Sequence, residues 1–554
     1  MKKIINFIVR EEGSASRDLG VLMVLFGTAF FQFLGRLPLL EPDEARYAEI
    51  PREMLERSDF ITPFLNYVKY FEKPPLLYWL NAASFSLFGR NEFAARFFTA
   101  LSGLLCVLLT YFIGRKIFGR RDGFLAALVL GTSVGFVAQA RMNIIDMPLT
   151  LCMSATLGFF LLAVQEGEKR TGLYFHLFYL FSALTVLAKG LIGLVLPGAI
   201  IFLYIAITRQ WRIIREMRLA TGIPLFFLIA APWFVLVSAR NPEFLRFFFI
   251  HEHFQRFLTK IHGHYQPPWY FIPVLFGCMF PWSLFLPLPF LQRLRGKTSP
   301  GSTVTLFLAL WAVVIFAFFS LSGSKLMPYI LPMFPAVSLI VARSFSHVLV
   351  EGRETPAAEL YLAPVLAVLM GLAAFLYFRF AHKPQLDLQA VSIIGSLLIV
   401  GGGTALFCLR KKGPAEFFAV LCGMSFLLTI AGPPLIFGKL AERKAAPELA
   451  DLINKAYRDG DKVACYGWYQ QGLPFYTGKR VIIVGYKGEL EFGSNQGDNS
   501  AWFIDHAEFR RLWDSSGRMF TLIKAPDLAR LRGESGTPLK ILGQKGDKYL
   551  VCNR

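Results

Sequence analysis

Residues 75–88, PLLYWLNAASFSLF, decide how the rest of the chain is threaded. The stretch is apolar but well short of the ~20 residues that a helix needs to cross the hydrocarbon of a bilayer. It is also amphipathic, so it is expected to lie on the membrane surface. Around it, thirteen longer apolar runs qualify as spans: roughly 19–37, 93–114, 122–140, 147–164, 173–188, 190–207, 221–238, 269–290, 303–321, 327–346, 360–379, 391–409 and 415–434. Loop charges test the choice. With the N-terminus inside, the inside loops hold RKIFGRR (115–121), Lys169–Arg170, TRQWRIIREMR (208–218), QRLRGK (292–297), Arg353 and RKK (410–412). Short inside loops rich in Lys and Arg are the charge signature of membrane topology. Counting 75–88 as a span would invert every later loop and put these basic runs outside.

Composition agrees. Of 554 residues, 55% are hydrophobic and 17% charged, against about 25% charged in soluble proteins. The net charge of +20 then reads as the inside-positive bias and not as a nucleic-acid surface. The expected fold class is a polytopic α-helical membrane protein of about thirteen transmembrane helices. Lys2, Lys3, Arg10 and Arg17 precede the first run with no small-residue cleavage site, so it reads as a span and not a cleavable signal. The broken-helix repeats of secondary transporters are not apparent. Cysteines show no zinc-type spacing; Cys465 and Cys552 fall in the polar tail, where they could pair.

After about residue 438 the pattern changes. PELADLINKAYRDG, HAEFRRLWDS and PDLARLRGE have helical character, while DKVACYG, RVIIVGY and RMFTLIK have strand character. Alternating strands and helices over 439–554 make a small α/β domain, placed outside by the odd number of spans. The transmembrane domain then covers 1–438, with a first outer loop over 38–92.

That loop carries the chemistry. Residues 39–75 read LLEPDEARYAEIPREMLERSDFITPFLNYVKYFEKPP. Asp43, Glu44 and Arg46 follow the first span directly, and Glu72 and Lys73 return to the same depth before Pro74 and Pro75. Arg141 and Asp146, Lys189, the run HEHFQRF with His251, His253 and Arg256, and Lys325 and Tyr329 all face the same side. Ionisable groups at membrane depth are costly and are retained for a site. Carboxylates and cations together suit a lipid-phosphate substrate: Arg and Lys hold phosphate through charge-assisted hydrogen bonds. A phosphate clamped in this way leaves more easily, because its developing charge is stabilised.

The motifs EPDEARYAEIPREM, FEKPPLLYWLNAASFSLFG, FAARF, RMNIIDMP, HEHFQRF, PPWYF, FPWSLFLP and SKLMPYILP, in this order from about residue 38 to 335, resemble the bacterial aminoarabinose transferases that modify lipid A. These belong with the protein mannosyltransferase-like family of C-type membrane glycosyltransferases. The LPFYTGKRVIIVG stretch is similar to their outer domain. The resemblance implies inverting transfer of 4-amino-4-deoxy-L-arabinose from undecaprenyl phosphate to a lipid A phosphate, on the periplasmic face of the bacterial inner membrane. By the same likeness Asp43 is the catalytic acid of the first loop and Asp146 the second carboxylate. Arg46, Lys73 and Tyr329 hold the carrier phosphate. Glu44, Arg256 and Lys325 are candidate donor or acceptor contacts, and Glu72 with His251 a candidate zinc site.

Each position has a plainer reading. Asp43 could cap the following helix, and Asp146, before Met147–Pro148, could do the same. Arg46 and Lys73 could anchor to phospholipid headgroups, worth about 1 kcal/mol each. Tyr329 could be an interfacial aromatic, and Lys325 could snorkel. Lys189 receives no functional role. Within the same chemistry, a related transferase using another sugar or a protein Ser/Thr acceptor is the nearest alternative; a lipid or solute transporter is the alternative from another class.

Overall fold

The computed structural model describes residues 2–165, 168–255, 265–294, 303–351, 359–380, 387–444, 447–534 and 536–554. Each of the thirteen apolar runs falls on helix. Among the described residues, nine helices are long and apolar enough to cross a membrane, and eleven if each of two bent pairs is one span. The pairs are Arg120–Gly131 with Val134–Ala140, bent by 68°, and Pro268–Cys278 with Trp282–Leu291, bent by 107°. Pro281 lies at the second break, where its missing N–H interrupts the helical ladder. The other two runs form helices of 17 residues, Ala15–Phe31 and Ile192–Thr208. The stretch 75–88 forms the 13-residue helix Leu76–Phe88.

Two compact units emerge. The first combines Met1–Leu34, Phe98–Ser238 and Leu245–Ile436. One residue of the basic run 115–121 makes buried contacts in this unit. Arg120 pairs with buried Asp18 at 2.7 Å and donates to the carbonyls of Phe7 and Arg10 at 3.0 and 2.6 Å. The Tyr111 hydroxyl donates to the same Asp18 at 2.7 Å. A Cβ on Gly114 would lie 2.7 Å from Gly123 Cα, so the helices meeting at Gly119 touch backbone to backbone.

The second unit combines Gly35–Phe97, Ala239–Phe244 and Phe437–Arg554. The first outer loop therefore folds with the tail, whereas the sequence reading grouped it with the transmembrane domain. Helix Asp43–Arg57 opens with two acids, which suit the positive end of the helix dipole. It is followed by a hairpin of β1 (Phe64–Leu65) and β2 (Val68–Lys69), whose turn residues Asn66 and Tyr67 have φ of 51° and 63°, as a tight two-residue hairpin requires. The Asn66 amide donates to Val481 O at 2.8 Å and accepts from Val481 N at 2.9 Å, so the turn extends the tail's hydrogen bonding.

The tail folds into a six-stranded sheet ordered β5-β4-β3-β6-β8-β7. Its strands are β3 (Lys462–Tyr466), β4 (Ile482–Val484), β5 (Phe503–Ile504), β6 (Met519–Lys524), β7 (Lys540–Lys545) and β8 (Lys548–Cys552). The first four are parallel; β7 and β8 form an antiparallel hairpin added beside β6. Alternate residues of β3 enter different cores, Val463 and Cys465 with helix Pro447–Ala456, and Ala464 and Tyr466 with helix His506–Asp514. Helices thus cover both faces, and the α/β expectation holds. The expected helices and strands of the tail are present; the β7–β8 hairpin, β5 and helix Gly472–Thr477 had no assignment. Cys465 and Cys552 are free and buried. Strand β6 separates them, and two strand spacings of ~4.8 Å exceed the reach of a disulfide.

Helix Asp43–Arg57 buries charge. Arg52 holds Glu49 through two bonds of 2.7 Å, and Glu53 accepts from Tyr67 N at 2.9 and 3.1 Å. Burial, with Glu49 beside it, pushes the Glu53 carboxyl well above its ordinary 4.5, and burial also raises Glu49. The folded protein therefore retains protons here that the unfolded chain releases above 4.5, so stability is fullest below that pH and falls as pH rises. Thermal unfolding followed across pH is expected to show this decline in the parent and a flatter profile in Glu53→Gln. A buried ion pair also joins Arg96 to Glu44 at 2.7 Å. Arg96→Ala strands that carboxylate and is expected to cost about 3–5 kcal/mol, read as a lowered unfolding midpoint.

Candidate active site

In the second unit, the first-loop residues gather around Arg46. Its guanidinium is buried and pairs with Asp43, one helical turn earlier, and with Glu489. It donates to the Tyr70 hydroxyl at 3.3 Å and lies 5.2 Å from the centre of the Tyr47 ring, within cation–π range. Burial alone would favour loss of its charge; Tyr70, Glu489, Tyr47 and Asp43 together hold it firmly protonated. Burial keeps Tyr47 and Tyr70 protonated, well above the usual phenol range. The side chain of Asp43 is half exposed. Its carboxylate is thus both anchored and open, which suits a group that must meet a substrate.

Lys73 Nζ donates to Glu72 O at 2.8 Å and lies 4.0 Å from the Glu72 carboxylate. Glu44 is different. Its oxygens accept from Arg96 at 2.7 and 2.8 Å and from Leu40 N at 2.9 Å. This buried carboxylate secures the start of the helix.

In the first unit, Asp146 opens helix Asp146–Gln165 and pairs with Lys189. Both side chains are nearly buried. Lys189 Nζ also lies 4.4 Å from the centre of the Tyr329 ring. The sequence reading left Lys189 without a role, yet it joins two of the predicted residues. Its signal was a lone cation in an apolar hairpin, which needs a partner. Lys325 Nζ donates to the carbonyls of Gln266 and Ser322 at 2.9 and 2.6 Å. It ties loop segments together. Arg141 donates to the carbonyls of Ala29 and Gln32, each at 2.7 Å, closing the end of the first apolar helix. Arg256 lies outside the described residues, as do His262 and His264.

The zinc expectation gains no further ligand. Glu72 and His251 belong to different units. The His251 ring stacks on Phe247 at 5.0 Å, and Nδ1 lies 3.5 Å from the Glu252 carboxylate. Among the described residues, no three His, Cys, Asp or Glu side chains form a metal-holding group. Among the described residues, Glu72 and His251 by themselves fall short of a zinc donor set.

Lys189→Ala is expected to leave Asp146 as a nearly buried carboxylate without its cation. Such removals cost about 3–5 kcal/mol when a buried pair is broken. Lys189→Ala/Asp146→Asn, which removes both charges, is expected to recover most of the loss in thermal unfolding.

Comparison with known proteins places this arrangement. The family described as Dolichyl-phosphate-mannose-protein mannosyltransferase matches residues 72–236, and the Aminoarabinose transferase C-terminal domain matches residues 449–553. A protein of Pseudomonas savastanoi pv. phaseolicola named undecaprenyl phosphate-alpha-4-amino-4-deoxy-L-arabinose arabinosyl transferase is 32% identical, over 87% of this chain and 90% of its own. A protein of the same name from Aeromonas salmonicida is 36% identical, over 86% and 88%. The crystal structure of ArnT from Cupriavidus metallidurans bound to undecaprenyl phosphate superposes with a TM-score of 0.86 at 27% identity, covering 98% of this chain and 99% of that one. Its apo form gives 0.83 at 28% identity, with the same coverage. The chain belongs to the family of undecaprenyl phosphate-aminoarabinose arabinosyl transferases.

Proposed function

We propose that this multi-pass membrane protein transfers 4-amino-4-deoxy-L-arabinose from undecaprenyl phosphate to a phosphate of lipid A, on the periplasmic face of the inner membrane. The observation that carries the reading is the buried Arg46 guanidinium, fixed against the half-exposed Asp43 in a chain of this family. In the reaction, the bond between the anomeric carbon and the carrier phosphate oxygen breaks, and the carrier phosphate keeps the electron pair. An oxygen of the acceptor phosphate forms the new bond from the opposite face, inverting the centre.

Arg46 and Lys73 offset the charge that grows on the departing carrier phosphate. A planar guanidinium can present two parallel donors to phosphate, and an ammonium adds a point charge. The acceptor phosphate is already anionic and needs no base. Asp43 therefore orients the sugar, or stabilises positive charge at its anomeric carbon, instead of taking a proton. The resemblance gives Asp146 the role of second carboxylate and Tyr329 that of a phosphate contact. No step is routed through a metal.

The test is mass spectrometry of lipid A from cells with the gene, without it, and with Asp43→Asn. A mass increment of one aminoarabinose is expected only in the parent strain. Arg46→Ala is expected to lower transfer by about 10²–10³-fold, the usual cost of losing one charge-stabilising donor. Unchanged lipid A in every strain would remove the acceptor, and normal modification by Asp43→Asn would remove the catalytic assignment.

A further inference from the structure

Glu41 lies two residues before Asp43 and belongs to no group described above. Its side chain enters the tail domain. Oε1 accepts from Gly472 N at 2.7 Å and Oε2 from Gln471 N at 3.0 Å. These two N–H groups end the loop GWYQQG (467–472), which leaves the carboxyl end of β3. The sheet order changes direction between β3 and β6, whose successors lie on opposite sides. In doubly wound sheets, ligands bind outside the carboxyl ends of the strands at such a point. Lys548 opens β8 opposite Lys524, the last residue of β6, so it lies at the same edge. Its Nζ donates to Gln470 Oε1 at 3.0 Å, within the same loop. The position that an anionic ligand takes in such sheets is filled by a carboxylate of the protein's own first loop. A Cβ on Gly472 would stand 2.6 Å from Glu41 Oε1, so an alanine there would push the carboxylate off the two N–H groups.

The consequence runs back to Asp43. Gln471 Nε2 donates to Glu489 at 3.1 Å. Glu489 pairs with Arg46, and Arg46 pairs with Asp43. The path is a closed circuit: Glu41 holds the loop by its backbone, the loop holds Glu489, and Glu489 and Arg46 return to the residue two places beyond Glu41. We propose that Glu41 is a positioning residue for Asp43 and Arg46, and that the tail domain serves the reaction by binding this carboxylate. The proposal rests on the reading of Asp43 and Arg46 as catalytic. A misplacement of about 1 Å at a reacting group can cost 10²-fold in rate, which sets the scale.

The experiment uses the full chain in detergent or nanodiscs, with undecaprenyl phosphate-aminoarabinose as donor and lipid A as acceptor, measuring kcat, KM and the unfolding midpoint. Glu41→Ala and Gly472→Ala break the same contact from its two sides. Each is expected to lower kcat about 10–100-fold, with a smaller change in donor KM and an unfolding midpoint well above the assay temperature. The double variant is expected to match Glu41→Ala alone, because residues that act through one contact are not additive. Gln471→Ala, which cuts the circuit at Glu489, is expected to lower kcat without multiplying the effect of Glu41→Ala. Should Glu41→Ala fail to fold, Gly472→Ala decides. Parent-like kcat in a folded Glu41→Ala or Gly472→Ala, beside an inactive Asp43→Asn, overturns the proposal and spares the site; so do losses that multiply. An active Asp43→Asn overturns the site reading, and the proposal with it.

Discussion

The second unit is organised around one buried cation. A guanidinium removed from water is tolerated only when its charge and its donors are matched, and breaking such a pair is far more costly than never forming it. Arg46 has Asp43 on its own helix and Glu489 from the tail domain. The first loop and the tail must therefore fold together before this charge is satisfied. Residues 35–97 group with the tail accordingly, most of helix Asp43–Arg57 is buried, and an apolar core of Leu39, Ala45, Ala48 and Phe85 with Phe475 adds to the joint.

The same pairing has a chemical use. A guanidinium has five donors, and among the described residues Arg46 Nε has no hydrogen-bond partner. Two carboxylates and the Tyr70 hydroxyl hold the group in place, and under the proposed reading Arg46 meets the carrier phosphate by exchanging one of these partners for it. Tyr47 and Tyr70 stay neutral, held protonated by burial, so they supply hydroxyl groups and ring faces without adding negative charge beside Arg46.

What the sequence made legible was local. Asp43 and Arg46 are three residues apart, and one helical turn brings them into contact by geometry alone. Apolar runs and basic loops gave the helices, since every run has its own length and composition to judge. Partners distant in the chain left no such trace. Glu489 lies in a polar stretch among other acids, and nothing in its neighbours marks it as the counter-charge of Arg46. Strands β7 and β8 carry lysines at their ends and alternate weakly, as an edge hairpin does, so their pattern was lost among polar residues. Lys189 was more accessible. A lysine that ends an apolar helix demands a carboxylate, and Asp146, beginning another apolar helix, was the candidate available. Glu44 and Lys325 have structural partners that their neighbours in sequence did not mark, the Arg96 guanidinium for the first and two loop carbonyls for the second.

A small α/β domain joined to a membrane enzyme could bind the acceptor or brace the catalytic loop, and its contacts favour bracing. Asn66 continues the hydrogen bonding of Val481, Glu41 fills the crevice beside β3, and Glu489 closes on Arg46. At Gly493, a Cβ would come within 2.3 Å of Lys69 O, so the β2 backbone lies directly against the tail. These four contacts join short helices, a loop and the residue before β4 of the tail to residues of the first loop. An acceptor-binding domain would keep the crevice at its topological switch point open. Here a carboxylate already occupies it, and the energy of that contact goes into holding Asp43 and Arg46.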